Sequence, residues 1–244
     1  MSGITRAMIM AAGLGTRMRP LTNDLPKPLV KVRGRALIDH VIDRLVAASV
    51  TLIVVNTHYK AEAVASFIAA DPYRDRVTLA HEPELLGTAA TLRRHVNFFG
   101  GEDGLMIHAD NYCLADFDAF IAAHRRRPAG CLLSMMTFRT GTPSNCGIVT
   151  LNERNVVVGF EEKQAHPNGN LANGAVYLLS AELLSELRAG DPNITDFSTQ
   201  VLPALLGRIY SYETSAALID IGTPQTYALA NALAHDTNAH VTQT

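Results

Sequence analysis

Between Ala7 and Arg126 the chain repeats one pattern four times, a short apolar run followed by an amphipathic stretch. Few folds can absorb that pattern. The runs AMIMAA (7–12), TLIVVNTH (51–58), VTLAHE (77–82) and GLMIHAD (104–110) have the length and the apolar content of strands. The stretches at 36–48, 61–70, 87–99 and 117–126 read as helices; in the first, Leu37, Val41, Leu45 and Ala48 share one face. Strands and helices in alternation require an α/β fold, a mainly parallel sheet with helices on both faces. From residue 131 the rhythm changes to strand-like pieces at 131–138, 147–151, 156–163, 173–180 and 208–214. Helices are fewer there, at 181–189, 197–206 and 224–234, so the second half reads as a mixed-sheet extension or small β-rich annex. No Gly/Ser/Pro linker separates the halves, one domain is expected over 1–244, and the polar tail at 235–244 should fray.

Composition excludes several classes of function. The 244 residues carry a formal net charge of −2, without the basic excess of a nucleic-acid-binding surface. The one compact basic run, HRRRP at 124–128, ends an expected helix, where cations face solvent and complement the dipole. Cys113, Cys131 and Cys146 are scattered, odd in number and without metal-ligand spacing, which fits reduced thiols in a cytoplasm. AMIMAA is too short for a signal or membrane-crossing helix, so no membrane partner is expected. A single sequence displays no interface, and the oligomeric state is left open.

The first strand runs into AAGLGTRMRPLTNDLPKPLV (11–30), where an α/β sheet gathers its ligands. Gly13 and Gly15 allow a tight turn that brings backbone N–H groups to phosphate oxygens. Arg17 adds a forked donor, and Pro26 and Pro28 stiffen the chain around Lys27, aiming it back toward the loop. Two other phosphate loops fail here. A dinucleotide fingerprint needs glycine where Met18 stands, and Met18-Arg19-Pro20 does not supply the Gly-Lys-Ser/Thr of a P-loop.

The segment GLGTRMRPLTNDLPKPLV resembles the signature of the sugar-1-phosphate nucleotidylyltransferases, and the likeness extends over roughly residues 6–234. It implies a Rossmann-like fold of the nucleotide-diphospho-sugar transferase type, with a nucleotide-binding half at about 6–130 and a sugar-phosphate-binding half at about 131–234. It also implies an enzyme that condenses a nucleoside triphosphate with a sugar 1-phosphate, releasing pyrophosphate. Arg17 and Lys27 would then be catalytic, holding the triphosphate, with Ala12, Gly13, Gly15 and Thr16 lining it. Two polyanions must meet, so Mg²⁺ is the expected cofactor. Asp110, after the fourth strand, and Asp220, before a glycine turn, resemble the metal-ligand positions of the family; taken alone, either would read as a turn former.

The sugar phosphate is assigned by the same likeness to Gly147, Glu162, Lys163, Asn173 and Gly174. Here Gln164 stands where the family pattern continues with proline, and without the likeness Glu161–Lys163 would be a solvated strand end. HEPELLGTAATL (81–92) resembles the nucleobase loop, with Gly87 and Thr88 entering a helix. Its LGTA run is most similar to the mannose- and heptose-type guanylyltransferases. A carboxylate can accept the paired N1–H and N2–H₂ donors of guanine, which suits Glu82 or Glu84. GTP and a manno-configured hexose or heptose 1-phosphate are therefore preferred. The alternatives are UTP with an amino-sugar 1-phosphate such as N-acetylmuramate 1-phosphate, and a protein that binds NDP-sugar without turnover. In NITDFSTQ (193–200), Asp196, Ser198 and Thr199 are read first as helix-capping residues.

Overall fold

Ala7 to Met10 are all buried because strand β1 (Arg6–Met10) runs through the middle of the sheet. The computed structural model describes residues 3–233. After β1 come a short hairpin, β2 (Lys31–Val32) and β3 (Arg35–Ala36), and helix α1 (Leu37–Ala47). Three further α/β units follow: β4 (Leu52–Thr57) with α2 (Ala61–Ala69), β5 (Val77–His81) with α3 (Thr88–Arg94), and β6 (Gly104–His108) leading to α4 (Phe117–Arg125). Between β6 and α4 lies a three-residue strand, β7 (Asn111–Cys113). The second half contributes β8 (Leu133–Arg139), β9 (Gly147–Leu151), β10 (Val157–Glu162) and β11 (Leu171–Leu179). It ends with α5 (Ala181–Ala189), a short α6 (Leu202–Ala204), β12 (Ile209–Glu213), β13 (Leu218–Asp220) and α7 (Pro224–Ala232).

Strands β6, β1, β4 and β5 lie side by side and parallel, as their alternation with helices requires. The chain moves outward from β1 through β4 to β5, then returns to the other side of β1 as β6. That reversal opens a crevice beyond the carboxyl ends of β1 and β6. Antiparallel β11 carries the sheet on from β6 to β8, β9 and β10, and β12 pairs parallel with β8. Nine strands thus form one mixed, mainly parallel sheet. Along β1 the two-residue side-chain period sends Ala7 and Ile9 into a core with α1, α2 and α4, and Met8 and Met10 into a second core with α3 and α5.

The expected elements are present with shifted ends. The helix expected over 87–99 stops at Arg94 and gives way to a 3₁₀ turn, Val96–Phe99. The helix expected over 197–206 opens as one π turn, Phe197–Val201, before Leu202–Ala204. Pro203 accounts for this, since its ring and missing N–H disallow the normal turn preceding it. Asp196 caps that turn, its Oδ1 accepting from the Thr199 N–H at 2.7 Å, as the capping reading anticipated. The tail at 235–244 and the end of the helix expected to reach 234 lie outside the described residues. Among the described residues no helix is long and apolar enough to cross a membrane.

Candidate active site

The loop after β1 is built around buried Met18, which packs with Val30, Val32, Leu37, Tyr112 and Ile221 in a third core cluster. The residue that breaks the dinucleotide pattern is therefore the anchor of this loop. Gly15 turns with φ +65°, and a Cβ there would stand 3.1 Å from the Thr22 methyl and 3.3 Å from Lys27 Cβ. Thr22 Oγ1 donates to the Gly15 carbonyl at 2.7 Å, closing the loop. Tyr59 secures it from the turn after β4, donating to the carbonyls of Thr22 and Asn23 at 3.2 and 2.9 Å. Ala12 is buried; Gly13, Thr16 and Arg17 are exposed along the rim.

Lys27 begins a 3₁₀ turn, with Pro26 before it and Pro28 within it. Its side chain is almost wholly buried, and its ammonium meets two carboxylates: Asp110 Oδ2 at 2.5 Å and Asp220 Oδ1 at 3.7 Å. The expectation that Lys27 aims at the glycine loop holds for its stem alone. Asp110 and Asp220 come together because β13 pairs antiparallel with β7, setting Asp220 opposite Asn111, while the Ile221 N–H donates to the Asp110 carbonyl. Burial by itself would push the Asp110 carboxyl up; Lys27 and His108 outweigh it and hold the group below its ordinary value. Burial and the Asp110 charge push the Asp220 carboxyl up, against Lys27 and Arg17. With 54% of the Asp220 side chain open, the neighbouring charge is the firmer of these two causes. Arg17 lies over the same turn, its Nη2 3.4 Å from where a Gly222 Cβ would stand.

Beside Asp110 a cavity of about 240 Å³ extends over the ends of β1 and β4, lined among others by Ala12, Gly13, Lys27, Glu82, Gly87 and Asp110. Glu82 is 1% exposed. Its Oε1 accepts from Asn56 Nδ2 at 3.0 Å and Thr91 Oγ1 at 2.6 Å; its Oε2 has a single long contact, the Leu86 N–H at 3.5 Å. Glu84 is exposed and is not part of the cavity wall. Gly87 has φ +87°, and a Cβ there would stand 2.5 Å from the Thr195 carbonyl oxygen. Thr88 Oγ1 accepts from the Phe197 N–H at 2.8 Å, joining this loop to the π turn.

The residues assigned to the sugar phosphate do not line that cavity; they lie on β9, β10 and β11, with Lys163 just past the end of β10. Gly147 pairs with Glu162, and a Cβ at Gly147 would fall 2.6 Å from Glu162 Oε2. Lys163, with φ +48°, is exposed, and its ammonium lies 3.3 Å from Glu162 Oε1. The half-buried Cys146 thiol is pushed up by burial, with the charges of Asp220 and Glu162 adding to it. Asn173 is largely committed inside the fold: Nδ2 donates to the Tyr177 hydroxyl at 2.7 Å and Oδ1 accepts from the Ala175 N–H at 2.9 Å. Gly174 is needed for packing, since its Cβ would meet Leu218 Cδ1 at 2.6 Å and the Met136 carbonyl oxygen at 2.9 Å.

Sequence reasoning missed Asn56, Thr91, His108 and Asn111. Asn56 was visible as a lone amide in the apolar run LIVVNTH. Asn111 donates to the Gly174 carbonyl at 2.7 Å, a long-range bond with no local signature. Among the described residues, no group of three or more His, Cys, Asp or Glu side chains gathers as a metal cage.

The model of the nucleotidyl transferase family matches residues 6–237. The mannose-1-phosphate guanyltransferase of Schizosaccharomyces pombe is 30% identical over 245 residues, which cover 93% of this chain and 64% of that protein. The chain thus spans about 64% of the length of the curated relatives it matches. A Bacillus anthracis structure named as a glucose-1-phosphate thymidylyltransferase superposes with a TM-score of 0.82 at 22% identity, covering 96% of both chains. The HddC structure from Yersinia pseudotuberculosis gives 0.77 at 25% identity, over 93% of this chain and 98% of that one.

Proposed function

Because this chain belongs to the nucleotidyl transferase family, we propose that it condenses a nucleoside triphosphate with a sugar 1-phosphate to give an NDP-sugar and pyrophosphate. The observation that carries this reading is a single cavity lined by the glycine loop, by Lys27 paired with Asp110, and by Glu82. The loop, Lys27 and Asp110 suit phosphates, and Glu82 suits a base. The preferred triphosphate is GTP: Oε2 of Glu82, with one long contact, offers an acceptor that suits the N1–H of guanine and opposes the N1 acceptor of adenine. The name of the Schizosaccharomyces pombe relative supports GTP and a manno-configured sugar phosphate in the same way.

In the proposed reaction a phosphate oxygen of the sugar 1-phosphate attacks the α-phosphorus in line. A new P–O bond forms, the α–β bridging bond breaks, and its electron pair leaves with pyrophosphate. A phosphate monoester is already ionised at neutral pH, so no protein nucleophile is required, and catalysis reduces to positioning and charge neutralisation. Arg17 at the loop rim and Lys27 below it would hold the triphosphate; Lys163 would place the attacking phosphate. Asp110 and Asp220 fit Mg²⁺, being two hard oxygen donors that leave further positions to phosphate oxygens and water. When bound, the ion would neutralise charge on the leaving pyrophosphate.

The test is pyrophosphate release with Mg²⁺, crossing GTP, UTP, dTTP, CTP and ATP against a panel of sugar 1-phosphates. Release confined to GTP with a manno-type phosphate is expected. Release with UTP and an amino-sugar phosphate would keep the reaction and discard the guanine assignment. No release with any pair, alongside tight NDP-sugar binding, would overturn the reading in favour of a binding protein.

A further inference from the structure

A buried carboxylate without a cationic partner is costly, and its retention needs a reason. Glu82 is such a group: among the described residues it has no ion-pair partner within 4 Å, and its direct support comes from neutral donors. Those donors are not distributed evenly. Asn56 and Thr91, 4% and 1% exposed, both donate to Oε1, while Oε2 keeps acceptor capacity beyond the marginal Leu86 contact. Asn56 is also a strut, because its Oδ1 accepts the Ala11 N–H at 2.7 Å, at the start of the glycine loop. One amide therefore ties the carboxylate to the backbone that leads into the phosphate loop. All three side chains line the cavity.

We propose that Asn56 and Thr91 are positioning residues for base selection: they saturate Oε1 of Glu82 and leave Oε2 as the atom that accepts an N–H from the nucleobase. The inference rests on the base-reading role given to Glu82 above. Its consequence is that selectivity belongs to a clamp on three elements, β4, the loop after β5, and α3. Loosening the clamp lets the carboxylate turn, so that bases presenting an acceptor are no longer opposed. A role in packing alone would weaken all nucleotides equally.

The experiment is calorimetric binding of GTP, UTP, dTTP, CTP and ATP, without sugar phosphate, to wild type, Thr91→Val and Thr91→Ser. Valine keeps the branched shape and removes the donor; serine keeps the donor. The ratio of Kd values between the best and the second-best nucleotide should fall about tenfold in T91V, the scale of one lost hydrogen bond, and stay within about twofold of wild type in T91S. Should T91V not fold, Thr91→Ala, which favours the helix, replaces it with the same expectation. An unchanged ratio, an equal loss for every nucleotide, or a wild type that binds all five alike overturns the proposal. The identity of the best nucleotide is read separately: a best ligand other than GTP sinks the guanylyl reading while the ratio still decides the role of the clamp.

Discussion

Lys27 lies against both Asp110 and Asp220 and neutralises them, so it would compete with the proposed divalent ion for the pair. Lys27→Met should therefore tighten Mn²⁺ binding about tenfold in the absence of nucleotide, since a positive charge worth more than 1 kcal/mol at such distances is removed. The same variant should lose at least ~10²-fold in turnover, as loss of one preorganised donor does elsewhere. Calorimetry in Mn²⁺ checks the first half; unchanged affinity would mean that lysine and metal do not compete. Asp110→Asn should abolish metal-dependent turnover, and an unaltered Mg²⁺ dependence of pyrophosphate release would remove Asp110 from the metal site.

The elements differ in how much of them the sequence reveals. The central strands β1, β4 and β6 were legible because each is a largely apolar run between helical periods; β5, with Thr78 and His81, is the most exposed of the parallel set. The ribbon of β7 and β13 was not: NYC and LID are too short to show a period, and their pairing is set by tertiary contacts alone. Likewise Gly13, Gly15, Gly87, Gly147 and Gly174 all read as ligand-facing glycines, yet their surroundings separate them. Gly13 has nothing within 4 Å of its would-be Cβ, whereas Gly87 combines φ +87° with the Thr195 carbonyl at 2.5 Å. Gly87→Ala should lower Tm by about 5–10 °C, through strain and a steric clash. Gly13→Ala should leave Tm within about 2 °C, so any loss of nucleotide affinity there would report the ligand. Thermal melts of the two variants side by side decide it; an equal drop would contradict the distinction.

At the scale of the molecule, helix α1 and the segment after α2 carry an acidic pair, Asp39 and Asp71, outside the cavity lining. Burial, reinforced by Asp71, pushes the Asp39 carboxyl up to about 6, with Arg35 pulling the other way. A carboxyl raised in the folded state binds its proton more tightly there than in the unfolded chain. Its contribution is complete below the ordinary value near 4 and is lost as pH rises through about 6. Asp39→Asn keeps the uncharged form at every pH. It should match wild type in Tm at pH 4 and exceed it by a few degrees at pH 7, on the order of 1 kcal/mol after solvent screening. A difference in Tm that stays flat across this range would rule the pair out. The ribbon that joins Asp110 to Asp220 has a different reach, into the birth of the protein. During synthesis the parallel strands β1, β4, β5 and β6 and the glycine loop leave the ribosome well before Asp220 does, so these strands are complete while the carboxylate pair is still half made. The proposed chemistry waits for one of the last strands to close, and turnover becomes a report that the chain has been made through β13.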